Sequence, residues 1–73
     1  MQLAENIKST RQKMFLSQEE FASEIGVSVA TINRWENGKS RPNLSAMKRL
    51  KLFCEKNNLP FELIEMAWVS FCS

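Results

Sequence analysis

Gln18-Glu19-Glu20-Phe21-Ala22-Ser23-Glu24-Ile25-Gly26-Val27-Ser28-Val29-Ala30-Thr31-Ile32-Asn33-Arg34-Trp35-Glu36-Asn37-Gly38 reads as two short helices joined by a tight turn. Ser17, just upstream, is suited to cap the first, because its hydroxyl can accept from a backbone N–H that the helix leaves unpaired. Glu20 stands three residues on and completes the Ser-x-x-Glu pattern of a capping box. Phe21, Ala22 and Ile25 recur at helical spacing and form the apolar face. Gly26 stops this helix at a position that calls for positive φ, where a Cβ would clash. Val27 plugs the turn. Ser28 caps the second helix, Ile32 and Trp35 face inward, and Gly38 ends it.

Two helices that share a buried corner in this way form a helix-turn-helix. Val29, Ala30, Asn33 and Arg34 are left facing outward on the second helix. In this motif the second helix lies in the DNA major groove with its N-terminal residues at base edges.

The flanking sequence extends the helical pattern. Leu3, Ile7, Thr10 and Met14 follow near-helical spacing, and Phe15-Leu16 closes that segment. Downstream, Asn37-Gly38-Lys39-Ser40-Arg41-Pro42 is a turn-rich, basic connector. Asn43 caps a fourth helix that carries Leu44, Met47, Leu50 (or Lys51) and Cys54 on one face, and Asn57-Asn58 ends it. Pro60 stands near the first position of a fifth helix running from Phe61 to about Cys72. No strand pattern or repeat interrupts this series. The expected architecture is all-α, a compact five-helix bundle containing the helix-turn-helix.

A chain of 73 residues is expected to form one domain, 1–73, with a stability of roughly 4–10 kcal/mol. Apolar residues make up 44% and charged residues 25%, which is ordinary for a soluble globular protein. No signal-peptide pattern opens the chain, and no run approaches the ~20 apolar residues of a membrane span, so a cytoplasmic location is expected. A net charge of +2 says little by itself, but its distribution says more. Arg34, Lys39, Arg41, Lys48, Arg49 and Lys51 face only Glu36 between positions 34 and 51, whereas the segment after Asn57 holds Glu62 and Glu65 and no base. One basic face suits phosphates; the alternative is a merely solvated helix surface.

There is no histidine, and Cys54 and Cys72 are the only cysteines. Tetrahedral zinc needs four ligands, so no metal site is expected. The two thiols read as reduced core residues, with a disulfide as the alternative. Without histidine, a paired nucleophile or a Gly-rich phosphate loop, neither catalysis nor a cofactor is expected.

The last helix is apolar around most of its circumference, which suits burial on more than one side. Residues 59–73 are therefore expected to form a C-terminal apolar helix used for dimerisation, with Phe61, Ile64, Trp68 and Phe71 at the interface. A simply buried terminal helix is the alternative.

Arg11, Leu16-Ser17-Gln18-Glu19-Glu20-Phe21-Ala22, Gly26-Val27-Ser28, Thr31-Ile32 and Trp35-Glu36-Asn37-Gly38-Lys39 with Pro42 resemble the phage Cro/repressor-type (XRE-like) helix-turn-helix family. The resemblance covers about residues 3–58 and implies a lambda repressor-like DNA-binding domain. It implies that Gln18 contacts a DNA phosphate and buttresses the recognition helix. By the same resemblance Ser28, Val29, Ala30, Asn33 and Arg34 face the groove, and Asn37, Lys39 and Arg41 lie on the backbone-contacting loop. It also implies an internal Arg11–Glu36 salt bridge, with Ile32 and Trp35 in the core. Val29 and Ala30 depart from the Gln, Arg or Lys common there.

The chemistry of these positions fits duplex DNA. The methyls of Val29 and Ala30 suit the thymine C5-methyl, Asn33 can pair with adenine N6 and N7, and Arg34 can pair with guanine O6 and N7. The starts of the second and fourth helices offer free N–H groups, and Lys39, Arg41 and Lys48 add charge for phosphates. The expected function is a sequence-specific double-stranded DNA-binding transcriptional regulator, a repressor, acting as a homodimer on a palindromic operator. The alternative is an antitoxin-like or accessory module whose last helix binds a partner protein.

Overall fold

The computed structural model describes the backbone of residues 2–72 and the side chains of residues 2–70. Among the described residues five helices follow one another: α1 (Gln2–Lys13), α2 (Gln18–Ile25), α3 (Val29–Glu36), α4 (Leu44–Lys56) and α5 (Glu62–Cys72). The described chain contains no strand, and none of these helices is long and apolar enough to cross a membrane.

The helix starts are made by local side chains. Ser17 Oγ accepts from Glu20 N at 3.0 Å while Glu20 Oε1 accepts from Ser17 N at 2.8 Å, so both halves of the capping box are present. Hydrogen bonding from the Ser17 backbone N–H, and then from its side chain, holds the Glu20 carboxyl below its ordinary pKa. Ser28 caps α3 through Thr31 N, and Asn43 caps α4 through Ala46 N at 2.8 Å. Gly26 ends α2 at φ 85°. A side chain there would be strained by the backbone and would meet Arg49 Nη1 at 3.3 Å, the atom that donates to Gly26 O at 2.9 Å. Arg49 thus fastens the turn to α4.

α2 and α3 pack together, α1 crosses α3, and α4 closes on α2. Ile7, Phe21, Ile32 and Leu50 are fully buried at the centre, with Ile25, Trp35, Met47 and Cys54 around them. Phe21 meets Phe53 edge to face, with ring centroids 5.3 Å apart. Burial of Cys54 pushes its thiol pKa up, consistent with a protonated core residue. Cys72 lies outside the described side chains.

Several boundaries and faces differ from the pattern read in sequence. α1 stops at Lys13, and Phe15, 93% exposed, turns the chain at φ 56°. On α4 the inward stripe is Ala46, Met47, Leu50, Phe53 and Cys54. Leu44, expected in that stripe, is exposed at the first position of α4, and Lys51 is exposed as well. Pro60 is not in the first turn of α5. Phe61 O accepts from Glu65 N at 3.0 Å, so Phe61 takes the cap position and Pro60 precedes it.

α5 lies along α1, tied by Asn6 Nδ2 donating to Leu63 O at 3.2 Å. Its apolar circumference divides into two faces. Ile64 is 1% exposed within the core, with Phe61, Ala67 and Trp68 half-buried beside it. Leu63, Met66 and Val69 are 58%, 63% and 54% exposed. Ile64 is therefore no interface residue, because the core of its own chain covers it. Phe61 and Trp68 also turn toward that core, while the Phe71 side chain lies outside the described residues. Among the described residues of α5, the apolar surface left outward belongs to Leu63, Met66 and Val69.

Candidate nucleic-acid interface

The site is built on a polar chain that runs from α1 to the end of α3. Arg11 donates from Nε to Glu36 Oε2 at 2.8 Å and from Nη2 to Glu36 Oε1 at 3.0 Å. Its third donor, Nη1, reaches Leu16 O at 2.9 Å and so fixes the α1–α2 turn. The pair is largely shielded, with side chains 13% and 3% exposed. These bonds hold the guanidinium further toward its charged form, against the opposing cost of burial. A forked pair of this kind is charge-assisted and sets orientation as well as energy.

Glu36 passes that orientation on. Its Oε1 also accepts from Gln18 Nε2 at 3.2 Å, and Gln18 Oε1 accepts a long bond from Asn33 Nδ2 at 3.4 Å. Asn37 Nδ2 then donates to Asn33 Oδ1 at 3.1 Å and to Asn33 O at 2.9 Å. Asn33 is thus held from both ends of its amide. A carboxamide has two N–H donors and two acceptor lone pairs, so using one of each for alignment leaves capacity for a base edge. Gln18 is half-buried and its side chain serves α3.

Val29, Ala30, Asn33 and Arg34 are all exposed and share the outer face of α3. Ser28 sits at the start of that face, but its hydroxyl is engaged as the cap and with Thr31 Oγ1 at 2.9 Å. Asn37 and Lys39 are exposed in the connector that follows α3. Arg41 stands apart from them. It is half-buried, and its guanidinium carbon lies 5.2 Å from the centroid of the Trp68 ring on α5. Trp68 Nε1 donates to Pro42 O at 2.6 Å.

Two supporting roles are not legible in the sequence pattern. Arg49 looked like one base among six, yet it fastens the α2–α3 turn. Trp68 was read as an interface anchor, yet it holds the connector. Neither role has a local signal, because each partner is more than twenty residues away.

The helix-turn-helix family profile matches residues 7–55. An HTH-type transcriptional activator, BcrR, of Enterococcus faecalis is similar to this chain: 34% identical over 53 residues, which are 73% of this chain and 26% of the relative. The chain therefore spans only about a quarter of that relative's length. No solved structure matches significantly. The family match covers well over half of the chain, and the capped α2, the Gly26 turn and the outward face of α3 lie within it. This chain belongs to the XRE-like helix-turn-helix family of DNA-binding regulators.

Proposed function

We propose that this chain binds double-stranded DNA sequence-specifically, as a homodimer on a palindromic operator, and represses transcription by occupying it. The observation that carries this reading is the outer face of α3, where Asn33 is pre-aligned between Gln18 and Asn37 beside exposed Val29, Ala30 and Arg34. An oriented amide loses less freedom on binding than a mobile one. The backbone N–H groups at the starts of α2 and α4, with Lys39 and Arg41, supply phosphate contacts. Resemblance to a protein named as a transcriptional activator supports regulation. The repressive sign follows from occlusion and is tested by a reporter carrying the selected site within its promoter.

Selection from random duplex DNA, followed by a salt titration, tests binding and symmetry together. A consensus without a palindrome removes the symmetric dimer, and no enrichment removes the reading. Asn33→Ala and Arg34→Ala are each expected to relax preference at one half-site position. Lys39→Ala and Arg41→Ala are expected to weaken binding to every sequence and to flatten the salt dependence by a slope of ~0.9 each. Uniform weakening by all four would take base readout away from α3.

One helix-turn-helix reads few base pairs, and two copies read half-sites ~34–36 Å apart. A protomer 31 Å in its longest dimension suits one such half-site. α5 supplies the dimer surface in this proposal, through Leu63, Met66 and Val69. Met66→Glu is therefore expected to convert the dimer to monomer in sedimentation, with the fold intact because the side chain is exposed. A native protein that sediments as a monomer would favour the second reading, an antitoxin-like or accessory module. The observation behind that reading is a groove of about 450 Å³ between α1 and α5, lined by Leu3, Asn6, Leu63, Met66 and Ala67 among others.

A further inference from the structure

A carboxamide has nearly the same shape either way round, but turning it over exchanges its donor side with its acceptor side. For Asn33 that choice is settled by a series of side chains that starts inside the protein. Glu36 is paired with Arg11 at 2.8 Å, its side chain is 3% exposed, and its carboxylate offers only acceptors. Gln18 must therefore turn its NH2 toward Glu36, and Nε2 donates to Oε1 at 3.2 Å. The Gln18 carbonyl oxygen is left facing Asn33, where it accepts from Nδ2 at 3.4 Å. Asn33 Oδ1 then lies on the other side and accepts from Asn37 Nδ2 at 3.1 Å. Asn37 is oriented independently, because the same Nδ2 donates to the main-chain Asn33 O at 2.9 Å. The series is anchored on a fixed acceptor at each end, and both anchors impose the same sense on the Asn33 amide.

We infer that Glu36 is a positioning residue for base readout: its carboxylate sets the donor and acceptor sense of Asn33 without touching DNA. The inference rests on the reading of Asn33 as a base contact. Phosphate contacts fix the pose of the helix on the duplex. In a fixed pose, adenine places an acceptor, N7, and a donor, N6–H, at set points in the groove. An amide of the matching sense meets both. The reversed amide sets donor against donor and acceptor against acceptor. A shielded carboxylate on the inner side of α3 thereby decides what the exposed side of the same helix can read.

The test is to move the carboxylate from one end of the series to the other. Glu36→Gln with Asn37→Asp puts the acceptor-only group on the Oδ1 side of Asn33, and the amides between the ends can then turn over together. The probes are duplexes selected from random DNA by the native chain, with their single-base substitutions. Asn33→Ala identifies the position that Asn33 reads. At that position the double variant is expected to lose preference by about tenfold or more, the worth of one bidentate pair. Preference elsewhere should persist, while affinity for all duplexes falls together because the new charge faces phosphate. Glu36→Gln alone frees the amide to take either sense, so half the population is competent and the loss is only about twofold. If the double variant gives no cooperative melt, Gln18→Met with Asn37→Asp replaces it, since that pair reaches the reversed sense with Arg11 and Glu36 intact. Native preference in the reversed variant, at a position that Asn33→Ala relaxes, overturns the inference alone. An equal loss of preference at every position overturns it too, because Glu36 would then be supporting the fold and not the amide. Asn33→Ala without effect removes base readout by Asn33 and this inference together, and a native chain that selects no sequence removes the DNA reading as well.

Discussion

Trp35→Ala is expected to leave most of the chain unfolded at room temperature. Trp35 is buried in the core beside Ile32, on the face of α3 opposite Asn33. Truncating a buried aromatic costs ~3–5 kcal/mol, from lost transfer energy and the cavity left behind. A chain of 73 residues has only roughly 4–10 kcal/mol to lose. The surrounding core is small and has little side-chain material with which to fill the gap. Urea titration followed by far-UV circular dichroism measures the effect. A transition midpoint equal to that of the native protein would remove Trp35 from the core and overturn the register of α3.

Arg11→Ala is expected to destabilise nearly as much, for an electrostatic reason. The Glu36 carboxylate loses two of its hydrogen bonds and keeps that from Gln18. Leaving a shielded charge without its partner costs ~3–5 kcal/mol, more than the intact pair contributes over an apolar replacement. Arg11→Met with Glu36→Leu should therefore be more stable than Arg11→Ala alone. A double variant less stable than Arg11→Ala would mean that the pair itself, and not the orphaned carboxylate, dominates. The Arg11 pKa is raised on folding, so this contribution is fully present below the unfolded-state pKa and is lost only as pH rises through the folded value. Stability attributable to Arg11 should stay flat across the neutral range. Loss of the pair also leaves Glu36 without the partner that orients it, and Gln18 and Asn33 lose alignment through it, so the variant's base preference should relax even at a temperature where it remains folded.

What was legible in the sequence was local. Ser17, Ser28 and Asn43 cap helices because a side-chain oxygen near an unpaired N–H depends on a few consecutive residues. Gly26 ends α2 because a positive φ admits glycine without strain. Phe21, Ala22, Ile25, Ile32 and Trp35 face the core because the period of a helix sorts them onto one side. The Arg11–Glu36 pair spans twenty-five residues, and family resemblance, not spacing, pointed to it.

The tertiary structure decided what a helical period leaves open. On α5 nearly every face is apolar, so sequence could not say which stripe is buried. The packed core took Ile64, with Phe61, Ala67 and Trp68 beside it, and left Leu63, Met66 and Val69 exposed. On α4 Leu44 is exposed while Ala46 and Met47 of the same turn are buried, and Phe53 packs against Phe21. Arg41 was legible as a cation on a loop, but not as a cation resting on Trp68. That contact exists because α5 returns across the bundle to the start of α4, and a meeting between residues so far apart in the chain is fixed by how the helices pack and by no property of either segment alone.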